Sequence, residues 1–259
     1  DIYGTNLTTI TTPTSGPYPT VRQMPWGQPV LIVGTGANNG KFLGRLDLVF
    51  DDFGVIKSWS GAPILLNNLS PVDLVMHADI IQRQVVVNNQ SSRVVGSTAQ
   101  NLGWENQCMF GECTLGLWTT DALRRAAPEA QIAWYNGGSM YAPIHPGNIT
   151  LGQVQTAMPL LNSELHTCEL AGEYIWEAME NSLLLVTNRS LNINQGIGRF
   201  LSVSGMRMLY NPDEEPGMRA VEVWLEQADG SLVPIDRATY YVVATSRYVW
   251  AGGDGYSMM

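Results

Sequence analysis

A run of small and polar residues, Asn136-Gly137-Gly138-Ser139-Met140-Tyr141, follows the apolar segment 131–135 and has the composition of a ligand-binding turn. The apolar segment predicts a short buried strand, and paired glycines let the backbone adopt positive φ or approach a ligand closely. Asn136 would then stand at the end of the strand with its amide pointing outward, where ligands bind in α/β proteins. The alternative interpretation is a tight turn that simply requires two glycines.

The sequence offers little for metal-dependent or nucleophilic chemistry. His77, His145 and His166 are the three histidines, and they do not stand at the spacing of metal ligands. We interpret them as structural or surface residues. Cys168 has no accompanying His or acidic motif and is interpreted as a buried free thiol. We therefore predict no catalytic residue and no metal site in this sequence.

Composition limits the possible partners. The chain has 259 residues, of which 45% are hydrophobic, enough to bury a substantial core. Its net charge of -9 and pI near 4.7 would repel nucleic acids and anionic membrane surfaces. No segment approaches the roughly 20 apolar residues of a transmembrane helix. An anionic ligand would need a local cluster of basic side chains.

Hydrophobic periodicity predicts an α+β protein with a mixed sheet. Residues 1–29 are rich in Thr and Pro and lack an apolar period, so they are predicted to form an extended connector. Helices are predicted at 71–87, 111–127, 150–157 and 172–186, the second of them capped by Thr114. Strands are predicted at 30–33, 41–50, 55–59, 93–102, 131–135, 164–170, 200–203, 206–210, 221–225 and 240–245.

Several motifs, taken in their order and spacing, resemble the C-terminal, substrate-binding domain of the 5'-nucleotidase family, including the secreted ecto-5'-nucleotidases. They are residues 111–116 (GECTLG), 136–144 (NGGSMYAPI), 198–205 (GRFLSVSG) and 251–256 (AGGDGY). The resemblance covers residues 16–259. It implies a mixed β-sheet packed with helices in a domain at 30–259 that is incomplete at its C-terminus. Residues 1–29 would connect it to an N-terminal metallophosphatase domain that this sequence does not contain.

The resemblance also implies where the chemistry occurs. A 5'-nucleotidase hydrolyses a phosphomonoester at two divalent metal ions, which activate water and clamp the phosphate oxygens. Those ions would be held by the N-terminal domain, so this chain alone is not expected to hydrolyse a phosphate ester. Its implied role is the substrate-binding domain of a secreted, metal-dependent phosphoester hydrolase.

A nucleotide pocket is implied as well. Its expected members are Asn136, Gly137, Gly138, Tyr141, Tyr248 and Asp254. By resemblance, Asn136 would contact the base, Tyr248 would stack on it, and Asp254 would bind the ribose hydroxyls. On residue types alone, Asp254 would equally suit the cap of a glycine-rich turn, and Tyr248 and Trp250 the core.

The sequence departs from the family pattern at three pocket positions. Gly111 and Tyr141 stand where the family has arginines, and Leu160 stands where it has a stacking aromatic residue. Without two guanidinium groups, the pocket lacks the charge-assisted hydrogen bonds that would hold an anion. Loss of one stacking face removes about 1–3 kcal/mol of binding free energy. Nucleotide binding is therefore expected to be weak or altered in specificity.

Two further features indicate an extracellular protein. The resemblance pairs Cys108 with Cys113 in a small disulfide loop, worth about 2 kcal/mol on the entropic model. Five Asn-X-Ser/Thr sequons are typical of a secreted glycoprotein with glycans on its loops. They lie at Asn6, Asn68, Asn89, Asn148 and Asn188.

Two other functions fit the same sequence. The first is a non-catalytic, glycosylated structural or self-associating extracellular protein that keeps the nucleotidase fold, since the pocket is altered and the connector could clasp a neighbouring subunit. The second is a small-molecule or sugar-binding module that uses Tyr141, Tyr248 and Trp250.

Overall fold

A computed structural model describes residues 16–35, 41–103, 107–159, 164–186 and 198–259. Internal contacts divide the chain into two compact units, of which the first ends at Ile81 and the second begins at Gln82.

The first unit contains three antiparallel strand pairs. They are β1 (Thr20–Gln23) with β2 (Pro29–Ile32), β3 (Phe42–Gly44) with β6 (Pro63–Leu65), and β4 (Asp47–Phe50) with β5 (Ile56–Ser60). The β4–β5 hairpin closes at the predicted turn, where Asp51 Oδ1 accepts hydrogen bonds from the N–H groups of Phe53 and Val55. β1 was missed because three of its four residues are exposed, so no apolar period marks it.

Helix α1 (Leu74–Ser91) was predicted from its apolar spacing. Asp73 caps it, since its Oδ1 accepts hydrogen bonds from the N–H groups of Val75 and Met76. No side chain of α1 is buried. Periodicity therefore located the helix, but the structure does not bury the apolar face that periodicity indicates.

A four-stranded mixed sheet forms the centre of the second unit. Its strand order is β10 (Leu165–Ala171), β15 (Tyr240–Ser246), β8 (Ile132–Asn136) and β11 (Leu201–Ser204). β15 and β8 run parallel, while the two outer pairs are antiparallel. Smaller antiparallel sheets comprise β12 (Met206–Tyr210), β13 (Ala220–Glu226) and β14 (Leu232–Pro234), and β7 (Val94–Thr98) with β9 (Gly147–Thr150). The predicted α+β class with a mixed sheet is confirmed.

Helices α2 (Thr114–Ala126) and α4 (Gly172–Leu183) cover opposite faces of the central sheet. Successive side chains of a strand point to opposite faces. On β8, Ile132 and Trp134 belong to one buried cluster with Ile175 of α4, while Tyr135 belongs to another with Leu115 of α2. The sheet is thus a buried layer between two helices, which explains why all five residues of β8 are buried.

The N-terminus of α2 differs from the prediction. Thr114 is the first helical residue, and its Oγ1 accepts a hydrogen bond of 2.7 Å from Gly103 N instead of capping the helix. Cys113 is the cap: its Sγ lies 3.1 Å from Gly116 N. The predicted disulfide between Cys108 and Cys113 is present. The shorter helices are α3 (Leu151–Ala157), which Thr150 and Gln153 cap reciprocally, and α5 (Arg247–Trp250).

Substitution of Gly172 by Ala should destabilise the second unit. A Cβ at Gly172, the first residue of α4, would lie 2.0 Å from the carbonyl oxygen of Asp236, so helix and loop would have to separate. We expect Gly172→Ala to lower the free energy of unfolding by about 1–3 kcal/mol, as overpacking does. Chemical denaturation measures this value.

Gly96→Ala is the matched control, because a Cβ at Gly96 would meet no atom within 4 Å. Its effect should stay within about 0.5 kcal/mol. Equal effects of the two substitutions would contradict the close packing of α4 on the 236–237 loop.

Candidate functional site

The candidate site lies at one edge of the central sheet. β8 and β15 are parallel, and they end there at Asn136 and Ser246. Ligand sites in α/β sheets form outside the carboxyl ends of such strands. A cavity of about 330 Å³ opens at this edge. Its described lining residues are Asn136, Gly138, Ser139, Tyr141, Pro159, Gly198, Ser246, Tyr248 and Asp254.

Asp254 is the centre of the hydrogen bonds in this cavity. Its Oδ2 accepts a bond of 2.8 Å from Asn136 Nδ2, and its Oδ1 accepts a bond of 2.8 Å from the Tyr248 hydroxyl. The same hydroxyl accepts a bond of 3.2 Å from Asp254 N. Asp254 therefore does not act as a simple turn cap, because its carboxylate receives side chains from two separate elements.

Asn136 is buried, contrary to the outward-pointing amide that the sequence predicted. It is only 2% exposed, since its Nδ2 is used by Asp254 and its Oδ1 accepts a bond of 2.7 Å from Ser139 Oγ. The strand end was located correctly. The orientation of its amide was not predicted, because the carboxylate that binds it belongs to Asp254, 118 residues away in sequence.

The two cavity tyrosines are accessible from solvent. Tyr141 is 60% exposed and Tyr248 is 40% exposed, so Tyr248 does not belong to the core. Partial burial is the main cause that raises the pKa of Tyr248, and the hydrogen bond to Asp254 and its negative charge raise it further. Trp250 does not line the described part of the cavity. It stacks instead on His166, with ring centroids 4.8 Å apart.

Backbone atoms pack closely beneath the cavity. Gly138 N donates a bond of 2.7 Å to Gly198 O, and a Cβ on Gly198 would lie 2.0 Å from Gly138 Cα. A Cβ on Gly137 would lie 1.7 Å from the carbonyl oxygen of Cys108. Gly137 therefore does not line the cavity itself but lets the disulfide loop approach. Both glycines of the Asn-Gly-Gly run are required by contacts between backbones.

Sequence reasoning missed four lining residues: Ser139, Pro159, Gly198 and Ser246. Ser139 and Gly198 lie inside motifs that were recognised, so position within the motif was the available signal. Ser246 lies at the cavity because β15 pairs in parallel with β8, and the sequence does not reveal this pairing. Leu160, which stands where the family has a stacking aromatic residue, lies outside the described residues. Gly111, which stands where the family has an arginine, is not among the described lining residues.

The described lining residues include no Lys, Arg or His side chain, and Asp254 is their one carboxylate. Within the described segments, no group of three or more His, Cys, Asp or Glu side chains is arranged to hold a metal ion. The described lining residues therefore do not fit a metal centre. The arrangement is suited to hydrogen bonding and to contact with an aromatic ring.

The predicted sequons and Cys168 lie outside the described cavity lining. The sequon residues Asn68, Asn89 and Asn148 are exposed, while Asn6 and Asn188 lie outside the described residues. Cys168 is half-buried rather than fully buried, and burial raises the pKa of its thiol. In the described part of the chain, no helix is both long and apolar enough to cross a membrane.

The fold and the cavity define an α+β domain with a polar cavity at the end of a parallel strand pair. Comparison with known proteins is consistent with this class. The family model described as "5'-nucleotidase, C-terminal domain" matches residues 94–259. The chain belongs to the 5'-nucleotidase family and contains its C-terminal domain.

Individual relatives agree with this assignment. The chain is 34% identical to the trifunctional nucleotide phosphoesterase YfkN of Bacillus subtilis, over 88% of this chain and 15% of that protein. It is 32% identical to the snake venom 5'-nucleotidase of Naja atra, over 95% of this chain and 48% of the relative. The solved 5'-nucleotidase precursor of Thermus thermophilus is 29% identical with a TM-score of 0.71, over 98% of this chain and 49% of that one. The chain thus spans less than half the length of each.

The raised pKa of Tyr248 can be tested by titration. We expect Asp254→Asn to lower this pKa toward its ordinary value of 10.0, but only in part, because burial is the larger cause. NMR titration of the tyrosine ring carbons measures it, with Tyr248→Phe assigning the signal. The exposed Asp229→Asn is the control and should leave the Tyr248 titration unchanged.

The sign of the effect on stability follows from the same pKa. The native state keeps the Tyr248 proton to higher pH than the unfolded state does, so this contribution is fully present below about pH 10. The free energy of unfolding then falls as pH rises through the raised pKa. An unchanged Tyr248 titration in Asp254→Asn would contradict the hydrogen bond between the two side chains.

Proposed function

We propose that this chain binds the nucleoside portion of the substrate for a metal-dependent phosphoester hydrolase of the 5'-nucleotidase type. The observation that carries the proposal is the Asp254 carboxylate, placed in the cavity beside the Tyr248 ring and the Asn136 amide. Each carboxylate oxygen has more than one lone pair, so Asp254 retains capacity to accept hydrogen bonds from ribose hydroxyls. Tyr248 is 40% exposed, and its ring could stack on a base.

The charge of the site limits how a nucleotide would be held. The described lining residues include one carboxylate and no cationic side chain, and the whole chain has a net charge of -9. A phosphate group inside such a cavity would be repelled without a compensating cation. The phosphate would therefore remain outside the cavity, and recognition would rest on the ribose and the base.

Hydrolysis would require metal ligands that the described residues do not supply. The described residues lack a metal-ligating cluster, and the named relatives are more than twice as long as the matched region. We propose that a separate N-terminal metallophosphatase domain of a longer protein holds two divalent ions. Such ions would activate water and neutralise phosphate charge.

We further propose that the protein acts outside the cell. The Cys108–Cys113 disulfide supports this location, because disulfides persist in oxidising compartments. The exposed sequons at Asn68, Asn89 and Asn148 would accept glycans without disturbing buried structure, although Pro71 disfavours modification at Asn68. A snake venom 5'-nucleotidase among the relatives agrees with this proposal.

The alternative function is a non-catalytic, glycosylated protein that keeps the fold and self-associates. It is favoured by the lack of a cationic side chain among the described lining residues. Binding measurements separate the two functions, because a purely structural protein has no need of nucleoside affinity.

Calorimetric titration with adenosine and with AMP tests the proposed pocket. We expect adenosine to bind at least as tightly as AMP, because the cavity offers no cation to the phosphate. Asp254→Asn should weaken adenosine binding about tenfold or more, since hydrogen bonds to a charged group contribute about 1.5–3 kcal/mol. Asn tolerates the backbone conformation at this position, so the variant should fold.

Asp229→Asn serves as the charge-matched control, because Asp229 is fully exposed and lies outside the cavity lining. Its adenosine affinity should equal that of the original chain. Absence of adenosine and AMP binding in the original chain would reject the nucleoside pocket and favour the structural alternative.

Phosphate release tests the metal-dependent activity. Protein isolated from its natural source should release phosphate from AMP with divalent metal ions present, and EDTA should stop the reaction. This chain alone should show no release under either condition. Metal-independent release by this chain would contradict the proposed division between binding and chemistry.

A further inference from the structure

Asp254 adopts an unusual backbone conformation. Its φ and ψ are 53° and 21°, and it is the single non-glycine residue with positive φ in the described part of the chain. The left-handed region is unfavourable for a residue with a Cβ, and it persists where the surroundings fix it. The neighbouring Gly252 and Gly255 also have positive φ, so the whole turn depends on contacts that hold it.

Those contacts come from α4 and from the segment before β11. Asn181 Nδ2 donates a hydrogen bond of 3.2 Å to the carbonyl oxygen of Asp254. Arg199 Nη1 in turn donates a bond of 2.9 Å to Asn181 Oδ1. The amide of Asn181 therefore connects the guanidinium of Arg199 to the backbone of Asp254, because its nitrogen and its oxygen each make one of these hydrogen bonds.

A second contact closes this connection into a ring. The hydroxyl of Tyr256, two residues after Asp254, donates a hydrogen bond to the carbonyl oxygen of Arg199. Tyr256 is fully buried, so this end of the turn is fixed in the core. Asn181 also lies against Gly255, where a Cβ would be 3.2 Å from Asn181 Oδ1. The 254–256 turn is thus held at Asp254 by the side chain of Asn181 and at Tyr256 by the backbone of Arg199, and these two residues are hydrogen-bonded to each other.

Burial of part of the Arg199 guanidinium is energetically unfavourable. Its Nε is buried and has no hydrogen-bond partner among the described residues, which is unfavourable for a guanidinium. Neither Asn181 nor Arg199 belongs to the described cavity lining. Asn181 meets the lining through its hydrogen bond to Asp254, whereas Arg199 is also the chain neighbour of the lining residue Gly198.

We propose that Asn181 and Arg199 are positioning residues, which hold the Asp254 backbone in its left-handed conformation and thereby direct its carboxylate into the cavity. Without them, the turn would relax toward ordinary backbone conformations, and the carboxylate would leave the Asn136 amide and the Tyr248 hydroxyl. The proposal rests on the proposed function only where adenosine is used as the probe. The positioning itself is a property of the ligand-free chain.

Two substitutions test the positioning. Asn181→Ala removes the bond to Asp254 O and leaves Arg199 in place, and Arg199→Met removes the guanidinium while keeping a long apolar side chain. We expect amide hydrogen exchange at Asp254 to accelerate about tenfold or more in both, because Asp254 N would lose the Tyr248 hydroxyl. Adenosine affinity should fall by a similar factor in both, measured where each variant is fully folded.

Arg199→Lys and Arg207→Met complete the set. Lysine retains a donor for Asn181 Oδ1, so Arg199→Lys should recover part of the lost affinity and of the slow exchange. Arg207 is exposed on β12, with Nη2 3.4 Å from Glu226 Oε1, so its replacement should change neither readout. If Arg199→Met fails to fold, Asn181→Ala still decides the question, because Asn181 is only partly buried.

The outcomes distinguish this inference from the proposed function. Unchanged exchange at Asp254 in Asn181→Ala would overturn the positioning role, whatever adenosine does. Faster exchange with unchanged adenosine affinity would support positioning, but it would contradict the role of Asp254 in the proposed function, because the position of Asp254 would not matter for binding. Faster exchange in a chain whose original form binds no adenosine would support positioning and reject the nucleoside pocket.

Discussion

The parallel pairing of β8 with β15 is the constraint on which the site depends. In this register Ile132 faces Val243, so both strands end at the same edge, and the chain after β15 turns back over that edge through α5. This return brings Asp254 to Asn136, 118 residues away in sequence. The pairing of the two strands therefore places the two residues within hydrogen-bonding distance.

Beneath this edge the site is built from backbone. Gly138 and Gly198 approach so closely that neither tolerates a Cβ, and Gly137 makes room for the carbonyl oxygen of Cys108. The disulfide partner Cys113 caps α2, so the disulfide loop joins the start of that helix to the turn after β8. Close packing of this kind transmits small displacements, because a backbone cannot change rotamer to relieve them. The cavity floor therefore consists of closely packed backbone, while side chains form the walls.

Local patterns in the sequence predicted much of the fold. The buried run before Asn136, the helix stopped at Pro128 and the hairpin at residues 51–54 each express a periodicity or a turn signal, and each is present. Two of the errors involve partners distant in sequence. The cap of α2 is Cys113 rather than Thr114, since Thr114 bonds Gly103 instead. Likewise, residue type cannot show that the amide of a strand-end Asn is already used by a distant carboxylate.

The polarity of the hydrogen bonds decides what such a cavity can select. Asp254 is held by a neutral amide and a neutral hydroxyl, not by a guanidinium, so its negative charge is not compensated within the described lining. A charge of this kind favours ligand donors over ligand acceptors. Hydroxyl groups on adjacent carbons satisfy that requirement, whereas carboxylates and phosphates do not. If the proposed function holds, the carboxylate that would hold a sugar would also disfavour anions, and the left-handed turn that presents it would set where the sugar binds.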